Sequence, residues 1–161
     1  MYGLFEVKSL GGNNYFVSFI DEFTIKNWIY LINKKSEVFE ILKKFQLLAE
    51  KQIRKVIKMF RTNRGGEYNT HKFQKFYGEE GIVYEVTYHY TPEHNGVGER
   101  RNRRILNMAK SMMKRKEMPH YFWGEAVSIA SYILKRSPIR RQKETPPEEA
   151  WSGNKSDVSH F

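Results

Sequence analysis

Two stretches of this sequence gather polar residues in arrangements that could do chemistry. Arg61-Thr-Asn-Arg-Gly-Gly-Glu-Tyr68 follows the apolar run 55–60, which reads as a strand, and α/β proteins build sites at the C-terminal ends of strands. Thr91-Pro-Glu-His-Asn-Gly-Val-Gly-Glu-Arg100 leads into a basic helix. At about 100° per helical residue, Glu99 shares a flank with Arg103, Lys110 and Lys114, so a carboxylate heads a cationic stripe. An acid in a helix's first turn also complements the macrodipole and can pair with a base four residues on, here Arg103. Spacing alone leaves both roles of Glu99 open. Between 100 and 116 stand Arg100, Arg101, Arg103, Arg104, Lys110, Lys114, Arg115 and Lys116 with no acid among them. That exceeds what solubility needs and points to a phosphate backbone as partner. His89 and His94 have no Cys and no third His nearby, a poor zinc set. Gly65-Gly66 is not followed by Lys-Ser/Thr and is read as a turn, not a P-loop.

The 161 residues suffice for one hydrophobic core and are few for two. Hydrophobic residues at 40% exclude compositional disorder even at a mean hydropathy of -0.69. A net charge of +10 favours a polyanionic partner. The absence of cysteine excludes a disulfide scaffold, a thiolate metal site and a thiol nucleophile together. No stretch has the apolar length of a membrane span, and Met1-Tyr-Gly-Leu-Phe-Glu-Val-Lys8 lacks a signal peptide's pattern. An intracellular chain with no membrane partner is expected.

The elements that must position these residues follow from periodicity. Residues 15–20 and 28–32 are short apolar runs that predict an antiparallel hairpin, with 21–27 as its loop. From Ser36, apolar residues at Val38, Ile41, Leu42, Phe45, Leu48 and Ala49 predict a helix. A third strand over 55–60, a short helix over about 70–77 and a fourth strand over 81–86 come next. Residues 87–98, with their Pro, His and Gly, read as a loop. A helix then runs to about Lys116 with Ile105, Met108, Ala109 and Met112 on its apolar face. Pro119 opens another, which Pro138 stops and whose broad buried face runs from Phe122 to Leu134. The expected architecture is a mixed sheet flanked by helices, with residues 1–138 as the core domain and 139–161 as an extended C-terminal segment of the same unit.

Six segments carry a resemblance. They are Ser9-Leu-Gly-Gly-Asn-Asn-Tyr-Phe16, Phe19-Ile-Asp-Glu-Phe-Thr24, Lys35-Ser-Glu-Val-Phe-Glu40, Arg61 to Tyr68, Tyr90 to Arg103, and Thr145-Pro-Pro-Glu-Glu-Ala-Trp151. Together, in this order and nearly end to end, they resemble the integrase catalytic core of copia-type long-terminal-repeat retrotransposons. The resemblance implies a ribonuclease H-like α/β fold and a DDE-type polynucleotidyl transferase. It implies DNA as partner, a homo-oligomer, and a nuclear place of work. It also implies two Mg²⁺ or Mn²⁺ ions held by two Asp and one Glu, one ion activating the nucleophile and the other stabilising the leaving oxygen.

Carried onto this sequence, the family's Glu is Glu99, the remaining catalytic and metal-ligating carboxylate. The second Asp falls at Asn63, with 35 residues between the two, as in the family's spacing. The first Asp belongs to a central strand that precedes a Gly-Pro pair matched here by Gly3-Leu4, so that strand is expected to be missing or incomplete. Asp21, Glu22 and Glu6 have no counterpart among the family's ligands. Gly98 stands where the family has Ala and weakens the helix there by up to about 1 kcal/mol. The implied chain is an integrase core with a nucleic-acid-binding surface formed by Arg100, Arg103, Arg104, Lys110 and Lys114, catalytically inactive because one ligand is absent and one is an amide. The alternatives are a non-enzymatic nucleic-acid-binding domain, or an inert relic of a retrotransposon. Without the central strand, the edges at 15–20 and 55–60 are expected to lack a partner, leaving the fold marginal.

Overall fold

The computed structural model describes residues 7–63, 68–87 and 92–155, with backbone only at 63, 87 and 92–95. The order is β1 (Tyr15–Ile20), β2 (Asn27–Ile32), α1 (Val38–Ile53), β3 (Met59–Asn63), α2 (His71–Glu80), β4 (Val83–Thr87), α3 (Pro92–Arg115), α4 (Trp123–Arg136) and α5 (Pro147–Ser152). Two compact units result, Met1–Asn33 with Val97–Phe161, and Lys34–Gly96.

In the first unit β1 and β2 pair antiparallel in the register Tyr15↔Ile32 to Ile20↔Asn27, which is the expected hairpin. Its loop is a tight turn. Asp21 Oδ2 accepts hydrogen bonds from the Thr24 amide and hydroxyl, both at 2.7 Å, and the Asp21 amide donates to the Lys26 carbonyl. Within it Ile25 sits at φ 62°, a strained backbone for a β-branched residue. Phe16, Ile105, Ala109, Met113, Trp123, Ala126, Val127 and Ala130 form the core, with Ile29, Leu31 and Leu106 against it. The apolar face of α3 is turned slightly from the expected one: Met113 is buried, while Met108 and Met112 are only half-buried. The α4 backbone approaches the hairpin at Gly124, where a Cβ would lie 3.0 Å from Leu31 Cδ1 and 3.1 Å from Ser9 Cβ.

The second unit holds α1, α2 and the parallel pair β3 and β4, registered Met59↔Val83 to Asn63↔Thr87. The core is aromatic. Phe39 meets Phe73 and Phe76 edge-on at 5.0 and 5.5 Å, and Tyr77 stacks on Tyr84 at 4.9 Å between ring centres. Burial, with Tyr84 and Tyr68 adding to it, pushes the Tyr77 hydroxyl well above the usual phenol range. The helix α1 ends at Arg54 and α2 at Gly81, both in the left-handed region that stops a helix.

Four expectations need correction. Among the described residues the strands form two two-stranded sheets, one antiparallel and one parallel, where a single mixed sheet is expected. Each strand is paired on one side only, so among the described residues β1 and β3 each keep one edge without a strand partner, as expected. The third strand begins at Met59 and not at Lys55, since it pairs only where β4 lies alongside. The 87–98 loop is mostly helix: α3 starts at Pro92, whose missing N–H costs nothing in a first turn, and it carries both glycines. Finally, the segment after 138 is not extended throughout, since 140–142 form a 3₁₀ turn and α5 follows, with Pro147 in its first turn.

Candidate functional site

The residues singled out by sequence fall on two elements. Asn63 ends β3, with Thr62 Oγ1 and Tyr84 Oη hydrogen-bonded at 2.9 Å and Arg61 bonded to the Glu85 carboxylate at 2.9 and 3.0 Å across the parallel pair. The Asn63 side chain lies outside the described residues, as do residues 64–67, Glu6, His89 and the side chain of His94. Glu99 is exposed on α3, seven residues past its start, so the first-turn reading of this carboxylate does not hold. Asp21 is occupied by its own turn, as described above, and Glu22 is exposed.

The helix α3 sorts its cations by angle. Arg103, Lys110 and Lys114 are exposed within about 60° of Glu99, which gives the expected stripe. Arg100 and Arg104 are also exposed, but about 100° and 140° around from Glu99, on a separate flank. Arg101 is different in kind: it is 2% exposed, on the face of Ile105 and Ala109, and its Nε donates to Asn27 Oδ1 at 3.0 Å. Asn27 Nδ2 in turn donates to Ser131 Oγ at 2.5 Å, tying α3 to α4 through β2. Burial first, and Arg104 second, pull the Arg101 guanidinium down to about 10. Between 100 and 114 the basic run is therefore two exposed flanks and one buried guanidinium.

Arg100, Arg101 and Arg104 line a cleft of about 650 Å³ whose other wall is 138–144, including Arg140, Arg141 and Glu144; Ile25 closes one side. The wall is held in place by a hydrogen bond from the Gln142 side chain to the Phe23 carbonyl. Sequence reading did not assign Arg140 or Arg141 to the nucleic-acid surface, because 139–161 was expected to be extended. Arg101, absent from the expected nucleic-acid surface, stands four residues before Ile105 and eight before Ala109. That spacing alone places it on the buried face.

A second buried cation completes the first unit. Lys26, 3% exposed, meets Glu148 Oε1 at 2.7 Å and lies over the rings of Trp28 and Trp151 at 5.0 and 5.6 Å. The segment Thr145 to Trp151 thus clasps β2 through its Glu and Trp. Burial holds Lys135 below the usual lysine value, outweighing the opposing pull of Glu148, and Arg136, Lys26 and Arg101 lower it further.

No family model matches the sequence. Solved structures do match its fold. An HTLV-2 integrase catalytic core domain in complex with magnesium is 18% identical with a TM-score of 0.60, covering 83% of this chain and 82% of that one. The catalytic core domain of BIV integrase matches at 17% identity and a TM-score of 0.60, covering 84% of each. The fold is that of a retroviral integrase catalytic core, ribonuclease H-like. Among relatives, the Retrovirus-related Pol polyprotein from transposon TNT 1-94 of Nicotiana tabacum is 40% identical over 159 residues, 99% of this chain and 12% of its own length. Those from transposons RE2 and RE1 of Arabidopsis thaliana are 30% identical over 132 residues and 32% identical over 124. The chain is similar to one segment of these retrotransposon Pol polyproteins, with the fold of a retroviral integrase catalytic core, and it spans about an eighth or less of these relatives.

Proposed function

We propose that this segment is a copia-type integrase core that binds DNA through α3 and does not catalyse strand transfer. The observation that carries DNA binding is the exposed flank of Arg103, Lys110 and Lys114 on one helix, next to the flank of Arg100 and Arg104. Such a surface attracts phosphates without regard to base sequence.

The catalytic half of the proposal rests on Asn63. In the family a divalent metal is expected, and the HTLV-2 neighbour is a complex with magnesium. Two hard cations held about 4 Å apart need clustered carboxylate charge. By the resemblance the second ligand position here is an amide, which offers a carbonyl oxygen and no charge. Among the described residues, no three His, Cys, Asp or Glu come together as a metal-binding group. One carboxylate, Glu99, and an amide at position 63 do not fit a two-ion site, and no catalytic step runs through one.

An oligomer is part of the reading, supported by the trimeric and dimeric forms in which the HTLV-2 core is described. No helix among the described residues is long and apolar enough to cross a membrane. A nuclear site of action is proposed from the resemblance.

The test uses a labelled DNA duplex and fluorescence anisotropy. Binding should weaken steeply with salt, and Arg103→Ala/Lys110→Ala/Lys114→Ala should flatten that dependence by about 0.9 in slope for each phosphate left without its cation. Unchanged affinity in the triple variant counts against the DNA-binding half. Strand transfer by the chain with Mn²⁺ counts against the catalytic half. The alternative of an inert relic predicts a chain that limited proteolysis degrades without a resistant core.

A further inference from the structure

We propose that the cleft between the Arg100–Arg104 flank of α3 and residues 138–144 is a phosphate seat for a nucleic-acid backbone, distinct from the Arg103–Lys110–Lys114 stripe. The proposal rests on the reading that this segment binds nucleic acid, and assigns a second place on the first unit where the strand is held.

Composition comes first. Five of the 11 arginines in the sequence, Arg100, Arg101, Arg104, Arg140 and Arg141, line this one cleft, against one acid among the described residues, Glu144. None of the 17 lysines lines it. Guanidinium is the cation that meets phosphate through two parallel N–H donors, so the choice of arginine fits an oxyanion better than a solvated surface, which lysine serves as well.

Geometry adds a second, independent observation. Arg101 is buried, yet only its Nε is accounted for by Asn27, and its Nη2 is buried with no hydrogen-bond partner among the described residues. A buried guanidinium donor left unmatched is costly. Its cation is further disfavoured by Arg104 nearby. An anion in the cleft offsets both costs. At about 650 Å³ the cleft falls in the size range of ligand sites and has room for more than a single ion. The opposite wall is braced by Gln142 on Phe23, so Arg140 and Arg141 are presented from a turn tied to the hairpin.

The experiment compares two double variants of the full chain that remove the same charge. Arg140→Ala/Arg141→Ala empties the exposed wall of the cleft without touching the core. Lys44→Ala/Lys51→Ala removes two exposed lysines from α1. Anisotropy with a labelled duplex of roughly 20 base pairs should show the cleft variant about tenfold weaker, with its salt dependence flattened by about 1 to 2 in slope. The α1 variant should stay within about twofold. In parallel, inorganic phosphate at constant ionic strength should raise the melting temperature of the wild type and not of the cleft variant. Equal weakening in both doubles would mean that only net charge matters, and would overturn the proposal. A cleft variant that binds normally, while Arg103→Ala/Lys110→Ala/Lys114→Ala weakens binding, also overturns it and leaves the broader DNA-binding reading standing. Protection by phosphate with unchanged DNA affinity overturns the nucleic acid as the source of the anion. A wild-type chain that fails to bind the duplex removes both readings.

Discussion

The two units bury different things. The segment 34–96 packs phenylalanine and tyrosine rings against one another and keeps its ion pairs outside: Lys72 with Glu40 and Lys75 with Glu79 are both well exposed, and Arg61 with Glu85 lies at the strand surface. The unit formed by 7–33 and 97–155 buries Lys26 and Arg101 and answers each with partners from distant parts of the chain. Aromatic packing needs only the right shapes nearby. A buried cation needs particular partners and is strongly destabilised when one is removed, so these contacts make the first unit more specific and easier to damage.

Substitutions can break or sharpen that contrast. The largest effect is expected from Trp123→Ala, which empties a fully buried site in the first unit and orphans the Val7 carbonyl that accepts from the indole N–H. About 3–5 kcal/mol should vanish in urea unfolding. In hydrogen exchange, α4 amides should lose protection while α1 and α2 keep theirs; deprotection across both units would erase the distinction between them. Next comes Glu148→Ala, which leaves Lys26 buried without its carboxylate and should cost about 3 kcal/mol. Lys72→Ala in the second unit, by contrast, should cost under about 1 kcal/mol; similar costs at both sites would contradict the comparison. Asn27→Ala removes the bonds to Arg101 and Ser131 and should cost about 1–3 kcal/mol by thermal melting. The smallest effect has the opposite sign. Gly98→Ala adds a methyl group 4.0 Å from Ile20 Cδ1, an ordinary approach inside α3, and should raise stability by about 0.5–1 kcal/mol.

Much of the architecture was legible because it rests on local pattern. The hairpin, α1, α2 and α4 follow from runs and from helical spacing, and the resemblance named the fold correctly. What sequence could not supply was non-local. Pro92, Gly96 and Gly98 read as a loop by their local preferences, and helix formation overrode them. The start of β3 was misplaced by four residues, since Val56 and Ile57 are apolar enough for a strand but have no partner there. At the site, Glu99 and the stripe were legible from spacing on one helix. The cleft was not, because Arg140 and Arg141 meet Arg100 and Arg104 only through a turn whose anchor, the Phe23 carbonyl, is 119 residues away in sequence. The clasp of Lys26 was hidden for the same reason.

That clasp also bears on how the chain reaches this structure. Lys26 and Glu148 are 122 residues apart, and the first unit is made from both ends of the segment with 34–96 inserted between them. The inserted unit is continuous and can form as soon as it leaves the ribosome, at roughly 5–20 residues per second. The hairpin must wait with its apolar face and its lysine exposed until α3, α4 and finally α5 are synthesised. Pairings this distant in sequence form slowly, since the loop must close before they stabilise anything. The last short helix is therefore a latch on folding order: truncation before Pro147 should leave a nascent chain whose second unit is formed and whose first is open.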